Sequence, residues 1–135
     1  MNWKLIFALS LFGAAMSVAT VFVIPSNVEP LFWLVIFVIC ALVIARRAPG
    51  KFFLHGFLVS LLNGVWITAA HILLYRTYLA NHPREAAMTA KMPFPDSPRL
   101  MMALTGPVIA AISGLVLGLF AFAAARIPAL RRKAS

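Results

Sequence analysis

Apolar residues fill the chain in four long blocks, Trp3–Ile24, Leu31–Ala45, Phe52–Leu74 and Leu100–Ala125, and polar residues gather in the short stretches between them. A hydrocarbon core of about 30 Å takes roughly 20 apolar residues of helix to cross. The pattern therefore predicts four transmembrane helices, over about 3–24, 30–46, 52–78 and 98–126. Membrane β-strands alternate apolar and polar positions, and these blocks do not. Backbone in lipid must satisfy its own hydrogen bonds, which leaves the helix. The expected fold is all-α: an integral membrane four-helix bundle forming a single transmembrane domain over 1–135.

Two blocks need comment. Leu31–Ala45 is short, but Pro30 suits a first helical turn and Arg46 and Arg47 can reach the headgroups, so it reads as a span rather than a re-entrant segment. Lys4 followed by an apolar run and Ser17-Val18-Ala19 is superficially like a signal peptide. The apolar run continues to Ile24, past that cut, and an uncleaved first span fits better.

The connections differ in character. Pro25–Pro30 and Ala48-Pro49-Gly50 are tight turns bounded by helix-stopping residues. Asn81–Arg99 is the one substantial connection. Asn81 or His82 can cap a helix there, with Pro83 in its first turn and Glu85 at the positive end of its dipole. Met88 and Met92 share its face, and Pro93-Phe94-Pro95 ends it. Ser97 and Pro98 then start the fourth span. The prediction is a short external helix lying in the membrane interface between spans 3 and 4. Pro107, inside the fourth block, predicts a kink.

Charge adds an orientation. The 12 basic residues outnumber the 3 acidic ones, for a net charge of +9. Lys4, Arg46, Arg47, Lys51, Arg126, Arg131, Arg132 and Lys133 fall on one side of the predicted topology. Arg76, Arg84, Lys91 and Arg99 fall on the other, with Glu29, Glu85 and Asp96. The richer side is cytoplasmic, so both termini are expected inside. A rim at span ends speaks for lipid headgroups and not for nucleic acid. Minimal loops and arginine at the inner rim suit a bacterial inner (plasma) membrane.

Candidate chemistry concentrates in the third span. Gly56, Ser60, Asn63, Gly64, Thr68, His71, Tyr75 and Tyr78 fall on one helical face. Gly56, Ser60, Gly64 and Thr68 recur every four residues, and Gly106, Ala110, Gly114 and Gly118 answer in the fourth span. Small residues so spaced let helix backbones approach closely, within one chain or in a homo-oligomer. Asn63, near mid-span, is expected to bond across helices to Ser17, Thr20 or Ser113, or else to serve a ligand. With His71 and Tyr75 it forms the candidate ligand-binding set.

Other chemistries fail on inventory. No Asp or Glu falls inside a predicted span. His55 and His71 share one helix about 24 Å apart, so haem would need a partner's histidine. Cys40 is the only cysteine and reads as a small buried hydrophobe. No catalytic set, metal site or cofactor is expected. The leading expectation is a non-catalytic structural or accessory bundle, packing with itself or within a larger membrane complex. The alternative is binding or transport of a small polar or lipidic ligand at the polar stripe of span 3. The third reading, a membrane enzyme, rests on His71 and the external loop.

Overall fold

A computed structural model describes residues 1–130. The described chain is all-helical, with four helices long and apolar enough to cross a membrane: α1 (Trp3–Phe22), α2 (Glu29–Arg47), α3 (Phe52–Leu73) and α6 (Pro98–Ala124). Two short helices, α4 (Tyr75–Asn81) and α5 (Pro83–Thr89), connect α3 to α6, and a 3-10 turn covers Pro128–Leu130. Arg131, Arg132 and Lys133, which entered the charge count, lie outside the described residues.

Each terminus follows from local chemistry. Asn2 caps α1, its Oδ1 accepting the Leu5 N–H at 3.1 Å. His55 is completely buried beside it, where its Nε2 accepts the Asn2 N–H at 3.1 Å and its Nδ1–H donates to the Lys51 carbonyl at 3.0 Å. One imidazole thereby ties the start of α1 to the start of α3. Gly50 (φ 153°) and Lys51 (φ 49°) make the turn into α3, and the first of these is a conformation that glycine adopts without strain. Pro30 and Pro98 sit in the first turns of α2 and α6. α6 runs unbroken through Pro107.

The third helical stretch is shorter than the sequence pattern predicts. It ends at Leu73, and α4 starts at Tyr75 after a break at Leu74. The break lets α4 reach the end of α1. Asn81 does not cap α5: its Nδ2 donates to the Val21 carbonyl at 2.8 Å. His82 is buried, with Nε2 3.2 Å from the Ile24 carbonyl and Nδ1 2.9 Å from that of Tyr78. Carbonyls left over at the end of α1 thus find side-chain donors. Arg99 ties α3 to the start of α6, its Nε donating to the Ile72 carbonyl at 3.2 Å and its guanidinium lying over the Tyr75 ring. In the loop, the Ser26 hydroxyl beside Glu85 holds that carboxyl below the usual range. Met88 and Phe94 are exposed.

Helices in lipid associate by close packing, because hydrocarbon offers no hydrophobic drive between them. The α3–α6 contact is the most extensive in the molecule, followed by α1–α3. A Cβ built on Gly56 would lie 2.7 Å from the Leu117 carbonyl oxygen, and one on Gly118 would meet the Phe53 ring at 2.8 Å. Gly64 lies on Ala110 and Gly106 on Thr68, while Gly114 takes the Phe57 ring. Ser60 Oγ donates to the Ala110 carbonyl at 3.4 Å. On the other side of α3, Gly13 of α1 lies directly on Asn63.

The packing is uneven along the bundle. At the end that carries the N-terminus, Ile6, Cys40, Ile44, Val59, Leu117 and Ala121 interlock in a dense core. At the opposite end α2 parts from the others: Leu31, Phe32, Leu34 and Val35 are all exposed. The space between α2, α3 and α6 at that end forms the candidate site.

Candidate functional site

The separation of α2 leaves a cavity of about 600 Å³. One wall is the polar face of α3, with Ser60, Asn63, Thr68 and His71. α6 contributes Thr105, Gly106, Ala110 and Ser113. α2 supplies Glu29, Trp33 and Phe37, spaced four residues apart and hence on one helical face. Ser26 and Tyr78 lie at the loop end. The volume falls in the range of small-molecule sites. From His71 down to Asn63 the wall spans eight residues of helix, or about 12 Å.

The cavity opens sideways. Leu34 on α2 and Ile109 on α6 both border it, yet they are 51% and 62% exposed. Thr105, also exposed, stands at the same edge. The mouth therefore lies between α2 and α6 and faces the surface that contacts hydrocarbon in a membrane.

Asn63 is the site's most unusual group. It is 2% exposed, and neither Nδ2 nor Oδ1 has a hydrogen-bond partner. The three groups expected to bond it do not. Ser17 Oγ donates to the Ala14 carbonyl at 2.6 Å in its own helix. Thr20 Oγ1 is engaged with the Ser17 carbonyl and with His71 Nε2, each at 3.3 Å. Ser113 borders the cavity without reaching the amide. Hydroxyls on helices fall back readily on carbonyls one turn earlier, and that competition leaves the amide alone. An unbonded amide in an apolar medium costs several kcal/mol on the order of the water-to-hydrocarbon transfer.

The structure brings Asn63 and His71 to the cavity wall but places Tyr75 elsewhere, beneath Arg99. Tyr78 takes the place expected of Tyr75, in a stack with His71 at 4.2 Å and His82 at 4.4 Å between ring centroids. The helix break at Leu74 shifts which tyrosine returns to the polar face. Sequence reasoning also missed the α2 wall. Glu29 belongs to a spanning helix after all, as the first residue of α2, and its Oε1 accepts the Trp33 indole N–H at 3.1 Å. A signal existed: Glu29, Trp33 and Phe37 repeat at helical spacing in the one span that otherwise looks uniformly apolar.

No three His, Cys, Asp or Glu side chains among the described residues lie close enough to hold a metal ion. His55 is at the opposite end of α3, bonded to backbone on both nitrogens. What the cavity offers is recognition: hydroxyls, an imidazole and one carboxylate on largely apolar walls. Comparison of the chain with protein-family models, curated proteins and solved structures finds no match.

Proposed function

We propose that the protein binds a small amphiphilic molecule in the α2–α3–α6 cavity, admitted from the lipid between α2 and α6. The observation that carries this reading is the cavity itself, about 600 Å³ with hydroxyls, an imidazole and a carboxylate on largely apolar walls. The polar wall suits a ligand's head and the lipid-facing mouth suits its tail. Self-packing has less to explain, because the small residues of α3 and α6 meet one another within a single chain.

In this reading both termini face the cytoplasm of a bacterial plasma membrane, following the basic residues around Lys51, and the cavity opens to the outer leaflet. α5, with Met88 exposed, lies in the outer interface. A cysteine placed at Asn27 is then labelled by a membrane-impermeant maleimide in intact cells, and one at Lys51 only after the cells are broken. The buried native Cys40 stays silent. The reverse labelling pattern overturns the orientation.

Native mass spectrometry of the protein released gently from its own membrane tests binding. A reproducible small-molecule adduct is expected on the wild type. Thr105→Trp fills the exposed mouth without entering a packed interface, so it abolishes the adduct and leaves the melting temperature unchanged. An adduct that survives Thr105→Trp, or none on the wild type, counts against the site.

A further inference from the structure

Resting on that ligand-binding reading, we infer that the ligand is a hydrophobic organic cation, an ammonium ion with an apolar chain, held at the Glu29–Trp33–Phe37 wall of α2. Basic side chains outnumber acidic ones 12 to 3 in this chain, yet no Lys or Arg lines the cavity and Glu29 does. The reversal is local and sits at the loop end, where a polar head rests at the depth of the lipid headgroups. Trp33 donates its indole N–H to one Glu29 oxygen at 3.1 Å, which orients the carboxylate and leaves the second oxygen for a ligand.

Trp33 and Phe37 meet edge to face, with centroids 6.0 Å apart and planes at 65°. Two rings set at that angle form a corner whose π-faces attract a cation, Trp more strongly than Phe. Tyr78 is committed to its stack with the two histidines. His71, the other ionisable group on the wall, is engaged with Thr20. An anionic head would meet Glu29 with no counter-charge. A phospholipid head would bring a phosphate with the same difficulty, which favours a free monocation over a resident zwitterionic lipid.

The class is tested by titrating the full-length protein in a non-ionic detergent with hexyltrimethylammonium, hexanol and hexanoate, read by calorimetry. The cation should bind at least about tenfold more tightly than the alcohol, with hexanoate weakest. Glu29→Gln, which keeps an acceptor for Trp33, should erase the cation's advantage while hexanol binding holds. Trp33→Leu should weaken the cation selectively. Equal binding of the three probes, or cation binding indifferent to Glu29→Gln, overturns the cation assignment and leaves the cavity a ligand site. Phosphatidylcholine nanodiscs that displace the cation would assign the site to a lipid head instead. Failure of all three probes to bind removes the binding reading itself.

Discussion

Asn63→Leu should make the protein more stable. Leucine shares asparagine's branched shape and number of side-chain heavy atoms and carries no polar atoms. The substitution removes two buried groups that have no partner. A buried polar side chain left without partners costs about 1–3 kcal/mol, and stabilisation of that order is expected in a detergent unfolding titration. The amide is packed against Gly13 of α1 and closed off from the cavity, so ligand binding should hold. Had the amide been an interhelical tie, its loss would destabilise the bundle, and a lowered unfolding midpoint would sink the argument.

Gly56→Leu should have the largest structural effect of any single change. The obstruction is backbone: the Leu117 carbonyl oxygen at 2.7 Å and the Gly118 Cα at 2.9 Å from a built Cβ. Backbone cannot rotate aside as a side chain can, so α3 and α6 must separate. Overpacking costs about 1–3 kcal/mol for small additions. Gly56→Ala should lose that much, and Gly56→Leu should prevent a monodisperse bundle on size-exclusion chromatography. Ala103→Leu, at an exposed position on α6, is the matched control and should elute as the wild type. A well-folded Gly56→Leu would show that the two helices do not meet at Gly56.

The four long helices were legible because a membrane span is read from length and continuity alone. α2 runs for 19 residues despite its shorter apolar block, since Glu29, Pro30, Arg46 and Arg47 all join it. The break at Leu74 was not legible: Leu73-Leu74-Tyr75-Arg76 holds no glycine or proline. The contacts that accompany it are distant in sequence, Asn81 and His82 reaching the carbonyls of Val21 and Ile24. That shift exchanged Tyr75 for Tyr78 at the wall. Nor does a pattern of residues announce a cavity, which is the place two helices do not meet. Each residue of α2 taken singly looks as if it faces lipid. Asn63 drew attention because any amide at mid-span must be accounted for, but its lack of a partner depended on where three separate hydroxyls turned.

The uneven grip on α2 bears on how the chain assembles during synthesis. α2 touches α1 and α3 only sparingly and gains its main neighbour in α6, the last of the four long helices in chain order. Through most of translation α1 and α3 can already pair through Gly13 and Asn63 while α2 drifts beside them in the bilayer. A chain cut short before α6 would then display two unmatched faces at once: the small-residue row of α3 and the inner side of α2. α6 covers both of those faces, so the grip on α2 waits for a helix made after the other three.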